Sequence, residues 1–206
     1  IPAAAMSLFF QKNPFMLYSG QEFGEEGMDK EGFSGRDGRT TIFDYWSPET
    51  LTHAYQDGEE ETYTAEQKYL AATYRQLLRL ANEEKALREG DTFDLMYVNP
   101  GSEGFDPRTN FAFLRKKDNE VMLIVLNFAQ EARQLQVCIP GHAFDFFQIT
   151  EEEVLVTELF SGGKTKVELK RDGVFPILMD ANGVRIYKFN VKMEESDIIL
   201  NEHHKE

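Results

Sequence analysis

Cysteine is almost absent from this chain. Cys138 stands alone among 206 residues, so no internal disulfide and no thiolate metal cluster can form, and the redox compartment is left open. Basic residues are few beside acidic ones, 22 against 36, for a net charge of −14. A surface of that sign repels phosphate backbones and anionic lipid headgroups, which makes nucleic acid a poor partner. Uncharged ligands meet no such barrier. Long hydrophobic runs are lacking too: the longest, Val121 to Leu126, falls far short of the roughly 18 residues a membrane-crossing helix needs. The histidines, His53, His142, His203 and His204, show no paired-ligand spacing for zinc. Asp29, Asp37 and Asp44 lack the one-three-five spacing of a calcium loop. No metal site is therefore expected. What the chain does have is 41% hydrophobic residues, the content of a globular protein with one large domain or two smaller ones.

Pro2 opens a run of helix formers, Ala3 to Phe10, with proline at a tolerated first-turn position. Asn13-Pro14 stops it, because the residue before proline is pushed out of the α region. The four apolar residues Phe15 to Tyr18 then predict a parallel strand covered on both faces, breaking on Gly20 into a polar, acidic loop. Residues 20 to 47 hold six glycines, and a loop of that length is unusual unless it serves a function. Ser47-Pro48-Glu49-Thr50 predicts a short helix through about Tyr55, and Asp57 to Glu61 a solvated acidic run. Thr64-Ala65-Glu66-Gln67 forms a capping box that opens the strongest helix. Its apolar side is Leu70, Tyr74, Leu77, Leu78 and Ala81, and Gly90 ends it.

Beyond Asp91 the hydrophobic period switches from helical to strand-like. Eight strands are predicted, at 92–98, 111–117, 120–128, 133–139, 154–160, 164–170, 174–179 and 184–189. The turn signals between them are Lys117-Asp118-Asn119, Pro140-Gly141, Ser161-Gly162-Gly163, Arg171-Asp172-Gly173 and Ala181-Asn182-Gly183. Short strands at this spacing suggest an antiparallel sandwich with Greek-key connections. Leu135, Val137 and Ile139 alternate with Gln134, Gln136 and Cys138, which puts one side of that strand on a core. From Glu194 onward the chain is a charged tail.

Several of these segments, in this order, resemble the end of an α-amylase-family glycoside hydrolase. Pro14 through Tyr18, then Ser19, Gly20, Gln21 and Glu22, is similar to the family's last barrel strand, with Asn13 where glycine is usual. Gly38-Arg39-Thr40-Thr41-Ile42-Phe43-Asp44-Tyr45-Trp46 looks like the arginine-led segment that follows it. The helix ending Leu77-Leu78-Arg79-Leu80, with Ala86-Leu87-Arg88-Glu89-Gly90, is similar to the eighth barrel helix. Phe111 to Arg115 and Val121 to Phe128 look like early strands of the C-terminal β-domain. The resemblance implies an α+β chain: residues 1–91 from the end of a (β/α)8 TIM barrel, residues 92–192 an antiparallel Greek-key β-sandwich, and residues 193–206 a tail. A complete barrel needs about 250 residues, so the first seven strands and the catalytic carboxylates are expected upstream of Ile1.

The implied function is that of a retaining glycosidase cleaving α-glucosidic bonds of starch-like glucans, with oligo- or polysaccharide as partner. The stretch at hand would be inactive, with no cofactor of its own, and calcium would be a property of the parent at most. Compartment is undetermined. The candidate substrate-binding or site-supporting residues are Tyr18, Gln21, Glu22, Asp37, Arg39, Tyr45 and Trp46. Gln21 and Glu22 are read chiefly as supports of the cleft. Arg39 suits sugar hydroxyls or a bracing carboxylate such as Asp37, or is a solvated loop residue. Tyr45 and Trp46 offer flat faces to a glucose ring or pack the loop onto helices. Tyr18 directs its hydroxyl into the cleft or is a hydrogen-bonded core tyrosine. Rival readings are a carbohydrate-binding or interaction β-module, for which Phe144, Phe146 and Phe147 are the clustered aromatics, and a non-catalytic barrel homologue.

Overall fold

A computed structural model of the chain describes residues 1–25, Leu51 and residues 63–192. Contacts divide the chain into two units, one of Ile1–Asn13 with Leu78–Glu206, the other of Pro14–Leu77.

In the Pro14–Leu77 unit, Phe15 to Tyr18 carries no strand ladder, and its side chains alternate between half-buried Phe15 and Leu17 and exposed Met16 and Tyr18. The expected two-sided parallel strand is not formed. Parallel strands take slanted hydrogen bonds from neighbours on either side, and every ladder among the described residues is antiparallel. A 3₁₀ turn, Gln21–Phe23, follows. The expected helix from Ser47 to Tyr55 and the acidic run Asp57 to Glu61 lie outside the described residues apart from Leu51, which is helical and buried. Helix α2 (Ala65–Glu83; α1 is described below) begins as its sequence predicts. The Thr64 N–H donates to Gln67 Oε1 at 2.9 Å and the Gln67 N–H to Thr64 Oγ1 at 3.2 Å, so two otherwise orphaned donors are satisfied reciprocally. Tyr74 and Leu77 are buried on its apolar side.

The other unit starts with helix α1 (Pro2–Phe9). Glu84 leaves the helical region at φ −82° and ψ 121°, and a short helix α3 (Lys85–Glu89) follows. The single helix expected to run to Gly90 is thus broken in two. Gly90 itself has φ −69°, so glycine is not there for a left-handed cap. A Cβ at this position would lie 2.2 Å from the Ala86 carbonyl oxygen and 2.7 Å from that of Lys116, contacts that admit no side chain.

Eight strands come next: β1 (Asp91–Asp94), β2 (Asn110–Lys117), β3 (Glu120–Asn127), β4 (Arg133–Ile139), β5 (Glu152–Glu158), β6 (Lys164–Leu169), β7 (Gly173–Met179) and β8 (Val184–Asn190). Six form one sheet in the order β1-β2-β3-β8-β5-β6, and β4 pairs with β7 in a second. Left-handed backbone at Asp118, Asp172 and Asn182, and at Gly162, falls in the turn tripeptides that the sequence marks. Pro140-Gly141 is more than a turn: it opens helix α4 (Gly141–Phe147).

Strand β3 explains why its sequence is apolar throughout. Residues 121–127 are all buried, because the strand is covered on both faces. Val121, Leu123 and Val125 share a core with Ala112 and Leu114 of β2, Leu135, Val137 and Ile139 of β4, and Ile177 and Met179 of β7. Against the opposite face lie α1 and α3. There the Phe10 ring meets Phe111 and Phe113 edge-on at 5.5 and 5.2 Å, and Arg115 is fully buried.

Candidate functional site

The described part of the sequence-predicted site is one tight turn. Gly20 sits at φ +85°, where a Cβ would come within 2.7 Å of the Glu25 Cβ, so only glycine turns the chain here without strain. The Gly20 carbonyl accepts from the amides of Phe23 and Glu25, each at 3.0 Å, and the Gln21 amide donates to the Tyr18 carbonyl at 3.0 Å. Gln21 then uses both ends of its side chain. Its Nε2 donates to the Tyr74 hydroxyl at 2.9 Å, and its Oε1 accepts from the Tyr18 amide at 3.4 Å. Such a doubly bonded amide fixes the turn on helix α2. Phe23 packs on Tyr63 with ring centroids 5.0 Å apart.

Glu22 differs from Gln21. Its Oε2 is buried and has no hydrogen-bond partner among the described residues. A carboxylate oxygen withdrawn from water without a donor is costly, on the order of 1–3 kcal/mol or more. Tyr18 is 40% exposed. The structure therefore brings Tyr18, Gln21 and Glu22 into one turn, while Asp37, Arg39, Tyr45 and Trp46 lie outside the described residues. Tyr74 is a residue that sequence reasoning placed only in an apolar stripe. A buried tyrosine hydroxyl needs a polar partner, and that requirement was the available signal for its bond to Gln21. Among the described residues no group of three or more histidine, cysteine or acidic side chains is placed to hold a metal ion.

In the strand-rich unit a groove of about 400 Å³ is lined by Val156, Glu158, Lys164, Leu178, Arg185 and Tyr187, among others. It exists because β5 and β8 are paired only at Thr157↔Lys188 and Glu158↔Tyr187. Most of its charged groups are committed to the fold. The Glu158 carboxylate accepts from the Phe160 and Ser161 amides at 3.2 and 2.7 Å, and Arg185 donates to the Leu178 carbonyl and to Asp180. Burial pushes the Tyr187 phenol above its usual pKa, so it is a neutral hydroxyl at physiological pH.

No family model matches the chain, and no curated protein matches it. Solved structures do. AmyP in complex with maltose is 15% identical with a TM-score of 0.57, over 91% of this chain and 33% of its own. The AmyP E221Q variant in complex with maltotriose is 13% identical with a TM-score of 0.56, over 94% and 34%. The maltogenic α-amylase AmyB from Thermotoga neapolitana is 15% identical with a TM-score of 0.55, over 92% and 36%. The fold is thus α-amylase-like, and the chain spans about a third of the length of these proteins.

Proposed function

We infer that the chain is the C-terminal part of a retaining α-amylase-type glycoside hydrolase acting on α-glucosidic bonds of starch-like glucans. The observation that carries this reading is the near-complete coverage of the chain, 91% to 94%, by a third of each α-amylase-like structure. The order of the motifs from Pro14 to Phe128 supports it. In this reading residues 1–91 belong to the end of a (β/α)8 barrel and residues 92–192 to a C-terminal β-domain. The doubly bonded Gln21 braces the rim, and Glu22 presents an acceptor to a sugar hydroxyl or to the segment that holds Asp37, Arg39, Tyr45 and Trp46. A retaining mechanism needs two carboxyl groups about 5 Å apart, one protonating the glycosidic oxygen and one attacking C1. Those groups belong to polypeptide upstream of Ile1.

The test is expression of the gene with its upstream sequence, with starch hydrolysis and the anomer released followed by NMR. Release of the α-anomer by the longer protein, and no cleavage by the 206-residue chain, is expected. Starch cleavage by the short chain alone, or an upstream sequence without strand-helix units, would overturn the assignment. In the longer protein Arg39→Ala should lower kcat/KM by about 10- to 100-fold, the effect of losing a charged hydrogen bond of about 1.5–3 kcal/mol. Unchanged kinetics would remove Arg39 from the site.

A further inference from the structure

Two exposed aromatic side chains of the strand-rich unit share one neighbour. Tyr97 is 57% exposed and Phe146 is 56% exposed, and both rings pack on Phe93, at centroid distances of 6.2 and 5.5 Å. Single exposed apolar residues are normal on a protein surface, but contiguous ones mark contact sites. His142, also exposed, extends the patch. The Tyr97 hydroxyl lies 3.4 Å from His142 Nδ1, the ring centroids are 6.5 Å apart and the planes differ by 21°. The two rings are thus nearly parallel.

The platform is held rigidly. His142 and Phe146 are four residues apart on α4 and so share a face, while Phe144 and Phe147 anchor that helix in the core. Arg171 donates to the Gly141 carbonyl and pairs with Asp145 at 2.6 Å, and the Gly141 amide donates to Asp172 at 3.0 Å. On the other side, buried Asn99 clamps the Tyr97 turn. Its Nδ2 donates to the carbonyls of Leu95 and Cys138, and its Oδ1 accepts from the Cys138 amide. Groups fixed before binding lose little entropy when a ligand arrives.

We propose that Tyr97, His142 and Phe146 form a surface platform for an uncharged glucan chain. A pyranose ring has one face of C–H bonds, which stacks on an aromatic ring, and a rim of hydroxyls. The Tyr97 hydroxyl, the imidazole, and the carboxylates of Asp145 and Asp172 supply partners for that rim. The net charge of −14 disfavours anionic polymers at any surface of this chain. Choice of α-glucan among neutral glycans rests on the function proposed above.

Native electrophoresis of the 206-residue chain through gels containing amylopectin tests this. The wild type is expected to be retarded. Tyr97→Ala and Phe146→Ala should each weaken retardation about three- to tenfold, the size of one aromatic contact, and Phe128→Ala, at a separate exposed aromatic, should not. Circular dichroism verifies that the variants are folded. Equal retardation of all variants overturns the platform and leaves the glycosidase reading untouched. Absence of wild-type retardation, or patch-dependent dimers in analytical ultracentrifugation, also overturns the platform. Failure of the longer protein to cleave starch would overturn the glycosidase reading whatever the gels show.

Discussion

Replacing Arg115 by methionine should be among the most damaging single changes in the chain. The side chain is fully buried on the helix-covered face of β2, and its guanidinium has five N–H donors. All five are used. Nε donates to the Ala86 carbonyl at 3.2 Å, Nη1 to the Phe9 carbonyl at 3.0 Å and Thr92 Oγ1 at 3.1 Å, and Nη2 to the carbonyls of Leu87 and Gly90 at 2.9 and 2.8 Å. The carbonyls of Phe9, Leu87 and Gly90 close the C-terminal ends of α1 and α3, where helix geometry leaves such groups without intrahelical partners and where the negative end of the helix dipole lies, while that of Ala86 also accepts from the Gly90 amide. One cation therefore caps two helices. Methionine fills similar volume but strands several buried acceptors at about 1–3 kcal/mol each, partly offset by removing the cost of burying a charge. The net loss should be about 4 kcal/mol. For a chain of this size that lowers Tm by about 8–16 °C. Arg115→Lys keeps the charge but offers three donors without the planar fork, and should lose about 2 kcal/mol. Urea unfolding monitored by circular dichroism measures both. A methionine variant within 1 kcal/mol of wild type, on the order of the weakest single acceptor lost, would refute the capping role. A lysine variant as unstable as methionine would refute the part assigned to charge.

Gln21→Leu removes the Tyr74 bond at 2.9 Å and should cost about 1 kcal/mol, with faster amide exchange confined to residues near Gly20; unchanged exchange there would sink the bracing role. Lys188 pairs with Glu84, and with Glu120 at 2.9 Å, and both carboxylates are largely buried. Lys188→Met should therefore cost about 3 kcal/mol by leaving two acidic groups without their cation, and the further change Glu84→Gln should recover part of that in a double-mutant cycle. Acid titration should show a loss of stability as pH falls from about 4 to about 2. Hydrogen bonds from Arg108 hold Asp106 at about 2 against an ordinary 3.8, and Lys85 and Arg171 hold Asp118 and Asp145 below their usual values. A depressed carboxylate contributes stability above its unfolded pKa, which is lost as pH drops through the folded value. Chemical denaturation at pH 5 and at pH 2.5, with no difference between them, would contradict this.

Local signals carried most of the strand-rich unit. The strand at Arg133–Ile139 lies where alternation placed it, and the Asp118, Asp172 and Asn182 turns fall on residues that tolerate left-handed backbone. Neighbour choice was not legible. That β8 sits between β3 and β5, or that β4 leaves its sequence neighbour β3 to pair with β7, depends on contacts far apart in sequence, whereas periodicity reports only which side chains share a face. The α4 helix was hidden because seven residues hold barely two turns and its Pro-Gly start also serves as a turn signal. Phe15 to Tyr18 shows the limit of composition: apolar residues on both sides predict two covering layers, but covering layers are supplied by other segments. Arg115 reads in sequence as a cation near a strand end. Its burial follows from carbonyls delivered by Phe9, 106 positions away, which no window reveals. At the candidate site the glycine turn was legible, while Tyr74, which accepts from Gln21, was hidden in the apolar stripe of a helix.

The placement of α1 alters what counts as a foldable β-unit. Strands alone, residues 92–192, have enough chain to suggest independent folding, but β3 is covered on its second face by α1 and α3. Ala5 and Phe9 are fully buried and Leu8 is 8% exposed, while Phe10 supplies the edge-on contacts to Phe111 and Phe113. Removing Ile1–Asn13 would return the burial of Leu8 and Phe9 to water at about 1.5–3 kcal/mol each, and would strip Arg115 of its Phe9 acceptor. The expected loss is about 5 kcal/mol, a large part of the 5–15 kcal/mol by which such proteins are stable. A chain beginning at Pro14 should therefore unfold at much lower urea and bind a hydrophobic dye through the bared face of β2 and β3. An unchanged urea midpoint would mean that the helix lies on the sheet without stabilising it, and the six-stranded sheet would then have to hold Met122, Ile124 and Leu126 out of water by some other cover.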